Sequence, residues 1–218
     1  MSVATDISAE VAPDRRPFIV GLGGTLSESS SSERALRHAL AAAETQGART
    51  ALFAARALDL PMYPVGQARR TPAAAALVAA LAQADGVIIA TPGYHGGISG
   101  LVKNALDYIE DLRDDARPYL DGRAVGCIVC AYGWQATATT LVSLRSTVHA
   151  LRGWPTPLGV AINTAEPVFD DTGRVADERC AEQLTTLGRQ ILDFVGERHE
   201  VQPGGFRGAQ LLAKSMTS

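Results

Sequence analysis

The sequence predicts a doubly wound α/β domain, a five-stranded parallel sheet with helices on both faces. Two observations carry this. Five short apolar runs alternate with five stretches of helical period along the 218 residues, the pattern of a parallel sheet covered on both sides. A chain of this length, with 46% hydrophobic residues, can bury roughly 70% of its unfolded surface and needs neither disulfides nor metal to form a core.

Organisation begins at Pro17, after a polar, mobile arm over residues 1–16 that shows no period. Residues 18–22 are an apolar run bounded by glycine, a buried strand. Residues 33–46 form the first helix, with Leu36, Ala39, Leu40 and Ala43 at helical spacing and Gly47 closing it. Residues 50–54 are a weak second strand, 60–64 a loop, and Pro72 opens an Ala-rich helix to about Gln83. Residues 86–90 are the clearest strand, 91–100 a Gly-rich loop, and 101–111 a helix with Leu101, Ala105, Tyr108 and Leu112 on one face. The fourth strand is 125–131, the fourth helix 137–151, the fifth strand 158–162 and the last helix 177–195. The domain therefore spans 17–196, followed by a tail or partner-binding arm at 197–218.

Five strands fit the flavodoxin-like doubly wound order better than the six-stranded dinucleotide fold. Right-handed crossovers leave few topologies. Ligands in such sheets sit beyond the carboxyl ends of the strands, which puts the loops after the first, third and fourth strands in the site.

Composition excludes several classes. The net charge is −3 with no Lys/Arg block, and 6% of residues are aromatic, so neither an electrostatic footprint nor a stacking surface for nucleic acid is expected. Three cysteines are too few and too odd for a secreted disulfide framework. The N-terminus has acids early and no apolar core of a signal peptide. The longest uncharged apolar stretch, 73–82, falls far below the ~18 residues of a membrane span. A cytoplasmic protein is the expectation.

The first candidate site is the loop Gly23-Gly24-Thr25-Leu26-Ser27-Glu28-Ser29-Ser30-Ser31-Ser32, between strand and helix. Its glycines permit a tight turn, and its hydroxyls and N–H groups can converge on a phosphate with the following helix dipole. The competing reading is a solvated Ser-rich linker with one serine capping the helix. G-x-G-x-x-G and Walker patterns are both absent.

The second candidate runs from Thr91 to Tyr108, where Pro92, Gly93, Tyr94, His95, Gly96 and Gly97 follow a buried strand. Its glycines let backbone approach a flat ligand, and Tyr94 offers a ring for packing. Lys103 and Asp107 also suit an i,i+4 surface pair. The third candidate, Tyr132-Gly133-Trp134, follows the fourth strand. Cys127 and Cys130 form C-x-x-C, but i and i+3 in a strand face opposite sides, so core packing is expected. His38, His149 and His199 lack ligand spacing, and no metal site is expected.

The chain resembles the NADPH-dependent FMN reductase family of flavodoxin-like proteins over roughly residues 17–195. That family carries a G-S-x-R-x-x-S-type loop after the first strand and a P-x-Y-N-x-S-x-P-G-x-L-K-N-A-x-D-W-type segment after the third. Pro92, Tyr94, Gly100, Leu101, Lys103, Asn104, Ala105 and Asp107 match the second, with Tyr108 for the aromatic. His95 and Ser99 stand where the family usually has Asn and Pro. Gly24, Thr25 and Ser30 or Ser32 match the first, with Ser27 in place of the usual Arg.

The resemblance implies that Gly24, Thr25, Ser27, Ser30 and Ser32 hold the FMN phosphate, the missing guanidinium lowering affinity. It implies that Pro92, Gly93, Tyr94, His95 and Gly96 border the isoalloxazine and that Gly133 approaches its pyrimidine side. Tyr132 and Trp134 then wall the nicotinamide or acceptor pocket, or pack at a subunit interface. Lys103, Asn104 and Asp107 fix the loop to its helix. The implied activity is an FMN reductase using NADPH or NADH, with hydride passing from nicotinamide to flavin N5 and no catalytic side chain. Reduced flavin is released to a partner such as a flavin-dependent monooxygenase, or reduces a quinone, azo or nitro acceptor in place. A homodimer or homotetramer is implied. The 60–71 loop, with Tyr63, Arg69 and Arg70, covers the site or meets the NADPH phosphate, unless its arginines are merely solvated. The alternatives are a flavodoxin-like electron carrier and a non-catalytic scaffold.

Overall fold

The computed structural model describes residues 16–66 and 69–201. The expected arm at 1–16, apart from Arg16, and the expected tail from Gln202 onward lie outside the described residues. A parallel sheet is built from β1 (Phe18–Gly23), β2 (Arg49–Phe53), β3 (Gly86–Tyr94), β5 (Ala124–Ala131), β6 (Trp154–Pro155) and β7 (Val160–Asn163). The short β4 (Gly97–Ile98) pairs antiparallel with the end of β3. The order β2-β1-β3-β5, with β6 and β7 both against β5, is the expected doubly wound arrangement.

The sheet has seven strands rather than five, for two local reasons. The fifth position is broken into β6 and β7, which pair with the start and the end of β5. Pro155 and Pro157 lack the N–H groups a continuous strand would donate, and Thr156 Oγ turns back to the Leu158 carbonyl at 2.8 Å. The loop expected at 91–100 is partly strand, because β3 continues to Tyr94 and turns into β4.

Side chains alternate cleanly along each strand. Val20, Leu22, Val87, Ile89, Val125, Cys127 and Val129 face α2 (Pro72–Gln83), α3 (Gly100–Asp107) and α4 (Trp134–Ala150). Ile19, Ile88, Ala90, Ile128 and Cys130 face α1 (Ser31–Glu44) and α5 (Glu178–Val201). Cys127 and Cys130 thus lie on opposite faces, as the period of two requires. The α5 helix reaches Val201, past the expected end at residue 195.

At the opposite end of the sheet from the loops, Arg123 is fully buried and donates to the carbonyls of Ala82, Ala84, Tyr119 and Asp121. Burial is the main cause that lowers its pKa, to about 10. The latch ties the end of α2 to the start of β5. Among the described residues no helix is long and apolar enough to cross a membrane.

Candidate functional site

Strands β1, β3 and β5 are neighbours in the sheet, so the loops at their carboxyl ends meet. The junction is tight. Gly24 N–H donates to the Ala90 carbonyl at 3.0 Å. A Cβ on Gly23 would lie 1.9 Å from that same carbonyl oxygen, so only glycine fits there.

Beyond it, Thr25 Oγ accepts from Ser27 N–H at 3.1 Å, which curls the loop back toward α1. Ser30 is the N-cap of α1, its Oγ accepting from Glu33 N–H at 3.3 Å, with Ser32 Oγ 3.4 Å away. The capping half of the sequence reading therefore holds, and it is compatible with anion binding. Backbone N–H groups of Ser31 and Ser32, in the first turn of α1, have no i−4 carbonyl to serve.

Glu33 complicates this end and was not singled out from the sequence. Its carboxylate is buried, accepts from Ser29 N–H at 3.2 Å, and takes the Arg37 guanidinium at 2.9 and 2.6 Å. One acid thus consumes a loop N–H and a nearby cation. Ser27 is exposed and brings no charge. The donor set fits a phosphate through N–H groups, hydroxyls and dipole, without a guanidinium from position 27.

The second loop is a hairpin. Gly93 pairs with Ile98 and Tyr94 with Gly97, leaving His95 and Gly96 as a two-residue turn with φ of 52° and 78°. That is the type I′ geometry whose twist matches the strands. Histidine is among the residues enriched at positive φ, so His95 can occupy a position the family gives to Asn. Gly93 sits under α4, where a Cβ would come within 2.8 Å of Thr140 Oγ. Thr91 Oγ accepts from Ser99 N–H at 3.1 Å, and Ser99 Oγ caps α3 by accepting from Val102 N–H at 3.2 Å. Serine at 99 thereby does by hydrogen bonding what proline would do by fixed φ.

Asn104 holds a different loop from the one expected. Its amide donates to the carbonyls of Leu60 and Pro61 at 3.2 and 3.0 Å and accepts from Tyr63 N–H at 2.9 Å. It anchors the segment entering 60–66, not the hairpin. Lys103 and Asp107 form the i,i+4 surface pair. Arg70 is not merely solvated, since it binds Asp111 in a fork at 2.6 and 2.7 Å. That guanidinium holds the Asp111 carboxyl below its ordinary range, while burial raises the Tyr63 hydroxyl that donates to it at 3.0 Å.

The third loop is set by a residue the sequence reading missed. Gly133, at φ 103°, is the N-cap of α4, and its N–H donates to Asn163 Oδ1 at 2.7 Å. Asn163, at the end of β7, donates its amide to Glu166 at 2.9 Å. No spacing in the chain links positions 133 and 163. A Cβ on Gly133 would meet nothing within 4 Å, so the loop faces open space.

Tyr94, Tyr132 and Trp134, one from the hairpin and two from the third loop, are 56%, 83% and 58% exposed. All three rings present most of their surface to solvent. Trp134 also borders a cavity of about 600 Å³ between β7 and α5. Among the described residues no group of three or more His, Cys, Asp and Glu is placed to hold a metal.

The model of the NADPH-dependent FMN reductase family matches residues 17–167. An FMN-dependent NADPH-azoreductase of Staphylococcus haemolyticus is 31% identical over 114 residues, 51% of this chain and 57% of that protein. An NAD(P)H-dependent FMN reductase of Pseudomonas aeruginosa is 30% identical over 102 residues, 46% of this chain and 54% of the relative. A quinone reductase of Escherichia coli is 31% identical over 137 residues, 58% of this chain and 69% of the relative. The chain thus spans little more than half the length of the first two. Among solved structures, the flavoenzyme NAD(P)H:(acceptor) oxidoreductase FerB of Paracoccus denitrificans superposes with a TM-score of 0.69 at 20% identity, over 83% of this chain and 98% of the other. A flavodoxin of Streptococcus pneumoniae gives 0.56 at 11% identity, over 80% of this chain and 98% of the other. These two likenesses establish the fold.

Proposed function

The chain belongs to the NADPH-dependent FMN reductase family, and from that premise we propose that it is an NAD(P)H-dependent FMN reductase serving a small quinone, azo or nitro acceptor, or releasing reduced flavin to a partner. The observation that carries the reading is the convergence of the 24–32 loop, the 92–97 hairpin and the 132–135 loop at adjacent strand ends. FMN, when bound, supplies hydride acceptance at N5 and its return to an acceptor.

In this reading Thr25, Ser30, Ser32 and the first N–H groups of α1 bind the phosphate. Ser27 adds only a hydroxyl there. The Pro92–Tyr94 segment and the His95-Gly96 turn lie along the ring. Gly133 leaves room beside it, and Asn163 fixes that loop's orientation by accepting from the Gly133 N–H. Backbone N–H groups facing the ring can stabilise negative charge as it develops, so no side-chain acid, base or nucleophile is required. Tyr132 and Trp134 narrow the approach to planar partners.

The test is anaerobic. Purified protein is mixed with FMN, NADPH is added, and loss of the flavin's visible absorbance is compared with a protein-free control. Rapid bleaching is the expected result. No acceleration with either NADPH or NADH would overturn the reductase reading and leave an electron carrier or a scaffold. Retention of FMN through gel filtration separates those two.

A further inference from the structure

The cavity of about 600 Å³ between β7 and α5 shares no lining residue with the 24–32 loop or the 92–97 hairpin. Its size lies in the range of small-molecule sites. Ile162, Pro167 and Val168 give it an apolar wall, and Trp134 stands at its rim with more than half its surface exposed. Arg179 and Gln183, from the first turns of α5, supply the polar side.

The charges there are unequal in availability. Glu166 lines the cavity, but its carboxylate accepts from the Asn163 amide at 2.9 Å. Asp177 also lines it, yet it caps α5 by accepting from Cys180 N–H at 2.6 Å. Arg179 makes no hydrogen bond or ion pair among the described residues. Each carboxylate has one oxygen engaged by a neutral donor, whereas the Arg179 guanidinium, which lines the same cavity as the exposed Trp134 indole, has none of its donors engaged among the described residues. Guanidinium is the side chain best matched to a carboxylate or sulfonate fork. Cys180 lines the same space, but its thiol is buried and burial pushes it up to about 11, which disfavours the reactive thiolate.

We propose that this cavity is a second ligand site that takes a planar aromatic carboxylate or sulfonate of one or two rings. The ring packs between Trp134 and the Ile162–Val168 wall, and the acid group pairs with Arg179. The site lies outside the proposed flavin loops except for Trp134, and its Asn163 is the residue that orients the 132–135 loop.

The experiment uses the full chain with excess FMN present, so that the flavin loops are filled, and titrates 2-naphthoate by calorimetry. Saturable binding in the millimolar range or tighter is expected, with the same affinity whether or not FMN is present. Arg179→Gln weakens it about tenfold, the usual scale for one charge-assisted hydrogen bond. Trp134→Ala also weakens it, and neutral 2-naphthylmethanol binds about tenfold less well than the acid. Arg179 is exposed, so its variant is expected to fold, and an unchanged circular dichroism spectrum and melting temperature check this. Three results overturn the proposal: no binding at about 5 mM probe, displacement of naphthoate by FMN, or an affinity indifferent to Arg179→Gln. A preference for 2-naphthylmethylamine over the acid also overturns it, because Glu166 and Asp177 would then be the dominant charges.

Discussion

Replacing Ser27 with arginine restores a guanidinium at the position where the family usually carries one. The structure determines how much this should matter. Ser27 is exposed, so the new side chain displaces nothing in the core. Of the neighbouring cations, Arg37 is bound to Glu33 at 2.9 and 2.6 Å, and Arg34 is turned onto Phe169 with its guanidinium carbon 5.9 Å from the ring centre. A charge-assisted hydrogen bond contributes about 1.5–3 kcal/mol, and solvent screening at an exposed position brings this toward about 1–1.5 kcal/mol. FMN should therefore bind roughly five- to tenfold more tightly to Ser27→Arg than to the parent. Quenching of flavin fluorescence measures this directly. Riboflavin, which lacks the phosphate, is the control and should bind both proteins equally. The FMN advantage should shrink as salt rises from low to physiological ionic strength. Equal tightening of FMN and riboflavin, or no change for either, would refute the placement of the phosphate at this loop.

Asn104→Ala removes hydrogen bonds to Leu60, Pro61 and Tyr63 together, and should cost about 1–3 kcal/mol of stability by leaving backbone groups unpaired; urea denaturation at constant m-value reads it. The three thiols are buried, with Cys127 pushed up to about 12 and Cys180 to about 11 by burial, so Ellman's reagent at pH 8 should find no fast-reacting thiol in the native chain and three after denaturation. Burial holds His38 below its ordinary value of 6.5, so below that pH the unfolded chain binds the proton first. Stability is then fully present above about pH 6.5, falls as pH drops through the interval down to the folded value, and levels off beneath it. A smaller loss of urea midpoint between pH 7.5 and 5.5 in His38→Gln than in the parent checks the assignment.

The local chemistry of the proposed site was readable along the chain. A strand followed by Gly23-Gly24 and a serine run announced a loop and a capped helix, and the structure has Ser30 in that cap. Glycines after residue 90 announced a backbone able to turn sharply, although the turn proved to be a two-residue hairpin. Alternation within 125–131 correctly separated Cys127 from Cys130, because a period of two is a property of the strand itself.

What the chain could not announce are the pairings between distant positions. Asn104 reaches residues 41 to 44 positions away, Arg70 reaches Asp111 across 41, and Asn163 reaches Gly133 across 30. Each partner is chosen by which loops the sheet order brings side by side, and the residues themselves carry no period that encodes it. The commitment of Arg37 to a buried Glu33 is nearer in sequence, yet it too needed the tertiary fold, since burial decides that this carboxylate must be paired. The break of the edge strand into β6 and β7 and the cavity beside it belong to the same class. Periodicity and turn chemistry act within a few residues and so determined the elements, the fold class and the loops that carry the proposed site. The partners of each polar side chain, and the spaces left between elements, depend on packing in three dimensions and were decided only there.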